Sequence, residues 1–252
     1  MEASNTAIIT PIYKINLNEE EKVYMQVTSQ NNQGFKKIFA APYGLNLNFY
    51  KQNFPEWEFA FFSRKYFDSR FEYNKLMLSA EFYQNFIDYQ YIVICQTDAV
   101  LLRDLKNIEN LTYDYLGSTW DPNIRIIRMG KIKYRKSPII GKIYSSYELK
   151  SGNGGLSIRK TSKMLEICYK LNMFPKSLQN LNEDIVISIL AQEGLLINAS
   201  EQESDNIFLE SKLKYMETLS ELKVWGVHGA KRYNDQIHNE IIRRDWSEYQ
   251  AP

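Results

Sequence analysis

A chain of 252 residues is long enough to bury a full hydrophobic core without disulfide or metal staples. Its 31 Lys and Arg balance 30 Asp and Glu to a net charge of +1, which gives no case for nucleic-acid binding. The segment from Met1 to Pro11 has no basic n-region, and no stretch approaches the roughly 20 apolar residues of a membrane span. These features predict a cytoplasmic protein, with room only for peripheral contact at the inner face of a membrane. Cys95 lies in a strand-like run and Cys168 on a helix-like apolar face, so both read as small hydrophobes rather than as ligands or a redox pair.

Ala7-Ile-Ile-Thr-Pro-Ile-Tyr13 reads as a first strand. Asn18, followed by Glu19, Glu20 and Glu21, combines an N-cap with first-turn acids and announces a helix that carries Val23 and Val27 on one face. Lys37 to Pro42 forms a second strand stopped by Pro42, and Trp57 to Phe62 a third. Ser69-Arg-Phe-Glu72 repeats the capping signature and opens a helix predicted to run to about Phe86. Tyr91-Ile-Val-Ile-Cys95 then leads through Gln96 and Thr97 to Asp98, before Ala99-Val-Leu-Leu102 turns apolar again. An unbroken run of this composition, bounded by polar segments, predicts a parallel strand buried on both faces.

Beyond Leu102 the rhythm changes. Tyr113 to Gly117 reads as a short strand, Arg125 to Lys150 as a long basic loop, and Gly155 to Arg159 as another strand. Thr161 is the expected cap of a helix to about Leu171, in which Met164, Leu165, Cys168 and Leu171 recur at helical spacing. The polar tail past Tyr233 carries Ile237, Ile241 and Ile242 as an amphipathic docking helix, with His238 expected at the surface. Alternating strands and helices predict a mostly parallel sheet with right-handed crossovers, a Rossmann-like nucleotide-binding layout.

Five features carry chemistry, each beside a plainer explanation. Ligands of such sheets bind beyond the strands' carboxyl ends, where Asp98 sits, although a lone acid there also caps turns. Ser151-Gly-Asn-Gly-Gly155 permits a positive-φ turn and close approach of backbone N–H groups to an anion or sugar, or is a bare turn. It has the spacing of neither a phosphate loop nor a dinucleotide fingerprint. Glu183 and Asp184 follow the N-cap Asn182 at a helix start, where the macrodipole favours ionised acids. They either decorate the first turn or supply a general base to a cleft.

His228, between small residues that leave its ring accessible, suits a divalent metal when neutral and a phosphate when protonated, though a lone histidine is more often structural. The run Arg125, Arg128, Lys131, Lys133, Arg135, Lys136, Lys142 and Lys150, with Tyr134, Tyr144 and Tyr147, faces the single acid Glu148. It reads as a solvated face or as a lid or acceptor loop over an anionic ligand.

In order along the chain, Gln96-Thr-Asp-Ala99, Asp114-Tyr-Leu-Gly-Ser-Thr-Trp120, Gly152-Asn-Gly-Gly-Leu-Ser-Ile-Arg159, Asn182-Glu-Asp184 and His228-Gly229 resemble the motifs of GT-A type nucleotide-sugar glycosyltransferases. More narrowly they resemble a largely uncharacterised bacterial glycosyltransferase-like family, over about Ala7 to Tyr233. The resemblance implies an α/β, Rossmann-like GT-A fold with a mixed, mostly parallel central sheet flanked by helices. It implies a single domain over 1–252, divided into a nucleotide-binding half (1–102), an acceptor and sugar half (103–233) and a polar C-terminal tail (234–252). It further implies metal-dependent, inverting transfer of a sugar from a nucleoside-diphosphate-sugar to a glycan or lipid-linked glycan acceptor, in bacterial surface polysaccharide synthesis.

Position by position, the resemblance assigns Thr10, Pro11, Tyr73, Asn74, Gln96 and Thr97 to the nucleotide and Asp98 to Mn²⁺ or Mg²⁺ on the diphosphate, with His228 either near the diphosphate or completing the metal shell. Asn153, Gly154 and Gly155 would hold the sugar. Asp184 would be the catalytic base, with Glu183 beside it. Gln96 departs from the family's first metal-binding acid and is left to hydrogen-bond ribose or a metal-bound water. Two rivals remain. A sugar-phosphate nucleotidyltransferase calls for a basic, Gly-rich loop after the first strand, where this chain reads Thr10-Pro-Ile-Tyr13. A non-catalytic nucleotide- or glycan-binding module would tolerate the loss of Asp98 and Asp184.

Overall fold

A computed structural model describes residues 1–129, 133–136 and 147–246. Among them, strands β1 (Thr6–Pro11), β2 (Lys36–Pro42), β3 (Glu58–Phe62) and β4 (Tyr91–Cys95) run parallel, and β6 (Tyr115–Met129), β7 (Lys133–Lys136) and β8 (Tyr147–Lys160) extend the sheet antiparallel. The seven-stranded order is β3-β2-β1-β4-β8-β6-β7. A second sheet of three strands has the order β5-β10-β9, from β5 (Ala99–Leu101), β9 (Phe208–Leu209) and β10 (Gly226–His228).

The helices are α1 (Glu19–Asn31), α2 (Asn48–Asn53), α3 (Arg70–Met77), α4 (Ala80–Gln84), α5 (Thr161–Lys170), α6 (Lys176–Gln179), α7 (Glu183–Gln192), α8 (Glu201–Ile207), α9 (Ala230–Tyr233) and α10 (Asp235–Arg243). Among the described residues, none is long and apolar enough to cross a membrane.

Burial on both faces explains the apolar run at the centre. Val93 and Cys95 of β4 pack into one layer with Tyr24 and Met25 of α1. Ile92 and Ile94 pack into the other with Leu76, Phe82 and Met164 from α3, α4 and α5. No polar residue is tolerated on either side, so strict alternation is lost. At the start of α1, the Asn18 side chain accepts from Glu21 N at 2.8 Å and the Glu21 carboxylate accepts from Asn18 N at 3.1 Å, a complete capping box.

Four expectations need correction. The helix expected from Ser69 to Phe86 is two, because Ser79 accepts from Phe82 N at 3.2 Å and so caps a new start at α4. Arg125 and Arg128 belong to β6 and Lys150 to β8, so the segment expected as a basic loop is in large part the arms of an antiparallel pair, with Arg125 opposite Glu148. Tyr147, Leu149 and Ser151 alternate inward with exposed Glu148 and Lys150, the period-2 signal that the charges masked. Lys131, Lys142 and Tyr144 lie outside the described residues. Thr161 is the first residue of α5, with Lys160 in the cap position and no side-chain cap bond. His238 is buried, not at the surface: its Nδ1 is 2.8 Å from the Tyr24 hydroxyl, because spacing of three puts it on the docked face with Ile241.

Candidate active site

Beyond the carboxyl ends of β1 and β4 lies a cleft of about 1560 Å³. It is lined by Pro11, Tyr73 and Asn74, by Gln96 to Asp98, and by Trp120 to Arg125 of β6. Asn153, Gly155, Glu183, Asp184, Glu210 and His228 complete it. The backbone joins these segments directly. Gln96 N donates to Gly155 O at 3.0 Å and Gly229 N to Asp98 O at 2.9 Å, while His228 pairs with Ala99 across β10 and β5. Thr97 Oγ1 donates to Glu21 Oε1 at 2.8 Å, so the acid that caps α1 also fixes the residue before Asp98. Gln96 Nε2 donates to the Tyr73 hydroxyl at 3.3 Å.

His228 forms the centre of a three-residue arrangement. Its Nε2 is 3.3 Å from Asp98 Oδ1 and its Nδ1 3.4 Å from Glu210 Oε1. Both ring nitrogens are buried and neither makes a hydrogen bond, so the contacts are ionic. Burial would lower the imidazole, but Asp98 and Glu210 outweigh it and hold it up to about 10. The cleft walls push the Asp98 carboxyl upward, yet the facing imidazolium brings it below the usual carboxylate value. Asp98 remains open to the cleft with 62% of its side chain exposed, whereas His228, expected to be accessible, keeps only 11%. The ring is covered because it lies on Gly155, where a Cβ would come within 2.1 Å of its Cε1.

The acid pair is built the opposite way. Asn182 occupies the cap position of α7 without a side-chain cap bond, and its Oδ1 accepts from Asn74 Nδ2 at 3.3 Å instead. Glu183 and Asp184 are both buried. Arg159, fully buried, places Nη2 3.1 Å from Glu183 Oε1 and spends its other donors on the Gly154 carbonyl, Ser157 Oγ and the Tyr83 hydroxyl. A buried charge needs such full pairing. Asp184 accepts from Ile185 N at 2.8 Å and from Gly154 N at 3.4 Å. Burial first, and the neighbouring Glu183 charge second, raise its carboxyl to about 7. A buried carboxyl that titrates near neutrality at the edge of a cleft has the properties of a general base.

The glycine-dense stretch is not the expected anion-binding turn. It lies within β8, and only Gly152 has a positive φ, of 124°. Gly154 N is taken by Asp184, and Gly155 N by Asn153 Oδ1 at 3.1 Å, so neither N–H is free for an anion. Glycine is needed for close approach: a Cβ on Gly154 would lie 2.2 Å from Glu183 Oε1, as one on Gly155 would meet His228. Asn153 and Gly155 line the cleft while Gly154 stands behind it. Thr10 is fully buried with Oγ1 3.7 Å from Met25 Sδ, so it faces α1 rather than the cleft that its neighbour Pro11 reaches.

Sequence reasoning missed Glu210, the partner of His228, and gave Arg159 no role although it quoted it within a motif. Trp120 and Arg70, quoted only within a motif and a capping signature, likewise had no role at the cleft, and Arg232, an exposed cation there as Arg70 is, went unmentioned. A fully buried arginine has no local sequence signature, and Glu210 sits in a run, Phe208-Leu-Glu-Ser211, with no recognisable pattern.

A family model described as "Protein of unknown function (DUF5672)" matches residues 56–228, which include Asp98, Asn153, Asp184 and His228. Comparison with curated protein sequences returns no match. Among solved structures, the apo form of the glycosyltransferase GlyE of Streptococcus pneumoniae TIGR4 aligns at TM-score 0.53 and 12% identity, over 96% of this chain and 61% of its own. The apo structure of the bifunctional glycosyltransferase WbbM aligns at TM-score 0.55 and 10% identity, over 96% of this chain and 50% of its own. A CMP:2-keto-3-deoxy-manno-octonic acid synthetase complexed with CTP aligns at TM-score 0.43 and 11% identity, over 78% of this chain and 89% of its own. At these identities the likeness to GlyE and WbbM is one of fold: the chain has their α/β, Rossmann-like architecture and spans 61% and 50% of their lengths.

Proposed function

The chain belongs to the family of proteins of unknown function DUF5672, and we propose that it is a metal-dependent glycosyltransferase that moves a sugar, with inversion, from a nucleoside-diphosphate-sugar to a glycan or lipid-linked glycan. The observation that carries this reading is the convergence of Asp98, His228, Asn153 and Asp184, from separate segments, on one cleft at the sheet's carboxyl edge. Pro11, Tyr73, Asn74, Gln96 and Thr97 form the nucleoside side. Asn153 and Gly155 face the transferred sugar, and the acceptor enters along Trp120 to Arg125. A lipid-linked acceptor puts the reaction at the cytoplasmic face of a membrane, with the enzyme in peripheral contact.

The residues fit a cation that arrives with its substrate. Among the described residues no group of three or more His, Cys, Asp or Glu side chains is arranged to hold a metal ion. Asp98 offers an exposed carboxylate, and His228, whose Nε2 is 3.3 Å away, would join it as a ligand only by giving up the ring proton that makes it an imidazolium. With so few protein ligands, Mn²⁺ or Mg²⁺ would leave its remaining positions to substrate phosphates and water. When bound, the cation neutralises charge on the departing diphosphate. Asp184 does the remaining proton work: as the acceptor oxygen bonds to the anomeric carbon and the diphosphate leaves, its carboxylate takes the hydroxyl proton. Arg159 keeps Glu183 paired, so that the Asp184 carboxylate is the one left for the acceptor.

A thermal-shift panel of nucleoside mono-, di- and triphosphates, each with and without Mn²⁺, tests the reading. The expected result is stabilisation by one nucleoside diphosphate only with Mn²⁺, about 2.7 kcal/mol at a hundred times Kd, that disappears in Asp98→Ala. A stronger response to a triphosphate would replace sugar transfer with nucleotidyl transfer. Indifference to the whole panel would leave a module that binds no nucleotide.

A further inference from the structure

We infer, resting on the reading that Asp184 deprotonates the acceptor, that this acceptor is anionic: a carboxylate or phosphate group beside its reacting hydroxyl is held by the Arg70 guanidinium. Arg70 is the first residue of α3, exposed and lining the cleft. Asn74, four positions on and so on the same face of the helix, donates to Asn182 at the cap position of α7. That hydrogen bond ties α3 to the start of α7 and brings Arg70 within electrostatic reach of the acid pair. The other described cations that line the cleft are engaged. Lys14 pairs with Glu21 and Arg125 with Glu148, each at 2.7 Å, His228 lies between Asp98 and Glu210, and Arg232 rests on the Tyr233 ring at 5.2 Å. Among the described residues, the Arg70 side chain has neither a hydrogen bond nor an ion pair.

The two acids of the cleft answer to different cations. At Asp98, burial raises the carboxyl, and His228 and then Lys14 bring it down. At Asp184, burial and then Glu183 raise it, and the cation that acts against them is Arg70. Arg70 thus stands at the acceptor's end and not at the diphosphate's. A cation beside a general base favours the ionised form and so opposes the proton transfer that the base must make. A neutral acceptor gives nothing in return. An anionic one neutralises the guanidinium as it binds, which restores the proton affinity of Asp184 when the hydroxyl arrives. The same pairing offsets repulsion between the acceptor's charge and the Asp184 carboxylate. A planar guanidinium also takes carboxylate or phosphate oxygens two at a time, which fixes the direction of the neighbouring hydroxyl. The plainer role, a solvated arginine on a polar rim, needs no selectivity among ligands and no sensitivity to Asp184.

Three probes that share one ring and differ only at its exocyclic carbon test this: methyl β-glucuronide, methyl β-glucoside 6-phosphate and the neutral methyl β-glucoside. Each is titrated, without nucleotide, into ¹⁵N-labelled protein whose Arg70 Nε–Hε signal is assigned with Arg70→Gln. An anionic probe should move that signal and the glucoside should not, and the tighter of the two anionic probes identifies the group as carboxylate or phosphate. Arg70 is exposed, so Arg70→Gln should keep the native melting temperature while weakening the anionic probe about 10- to 100-fold, and Arg70→Lys should weaken it by less. Above about pH 7, where Asp184 is ionised, Asp184→Asn should bind that probe more tightly than the native chain. Equal shifts with the glucoside or with acetate overturn the inference, as does unchanged affinity in Arg70→Gln or in Asp184→Asn. Failure of the parent reading looks different. A chain that ignores every nucleotide yet binds the glucuronide on Arg70 refutes sugar transfer. One that is stabilised by a nucleoside diphosphate with Mn²⁺, while its Arg70 signal ignores both anionic probes, keeps sugar transfer and loses the anionic acceptor.

Discussion

Two carboxylates bound the same cleft and are prepared in opposite ways. Asp98 is exposed, faces an imidazolium, and has its carboxyl drawn below the usual value. Asp184 is buried beside a second acid and rises to about 7. The side chains are identical, so the contrast comes entirely from burial and from the sign of the neighbouring charge. One environment keeps an anion permanently available to a cation. The other keeps a base that can gain and lose a proton near neutral pH. Division of labour between like groups by environment alone is what the proposed reaction would require of a single fold.

The contrast breaks most visibly at Asp184. Asp184→Asn should lower transfer by about 10²- to 10⁴-fold while the Mn²⁺-dependent nucleotide shift persists. Unchanged transfer would move the base to Glu183 and end the asymmetry. The next largest effect concerns Arg159, whose guanidinium is the only cation on Glu183 among the contacts described. Arg159→Met leaves a buried carboxylate uncompensated, and urea denaturation should show a loss of about 3–5 kcal/mol. A loss within the range of surface substitutions would mean that Glu183 does not depend on this pairing.

The smallest effect sharpens the comparison through pH. Below about 7 the Asp184 carboxyl holds its proton, so kcat/KM should rise about tenfold per pH unit toward that value and then level off. The sign for stability is the reverse. Its folded pKa lies above the ordinary value of 3.8, so between 3.8 and about 7 the native state holds the extra proton. Stability from this group falls as pH rises through that window, while activity climbs. A pH–rate profile without the rising limb would remove Asp184 from the proton transfer.

The same contrast separates what the sequence exposes from what it hides. The strand ending before Asp98 was legible because burial on both faces leaves a run of apolar residues that nothing else explains. The α1 start was legible because a capping box is local. The motifs that meet at the cleft could be listed in order, but the purpose of Gly154 and Gly155 could not. Glycine serves tight turns and close side-chain approach alike, and only the positions of Glu183 and His228 tell them apart. Glu210 and Arg159 were invisible as site residues because their partners lie far away in sequence. His238 was misplaced since a polar tail was read by composition and not by its spacing from Ile241.

The backbone ties between Gln96 and Gly155 and between Asp98 and Gly229 carry a consequence for how the molecule comes into being. The parallel strands, with the acid that follows β4, precede the strand that supports its backbone, β10 (Gly226–His228), in the order of synthesis. Closing such long loops is the slow part of folding. A nascent chain thus acquires its parallel scaffold before the segments that close the cleft around it.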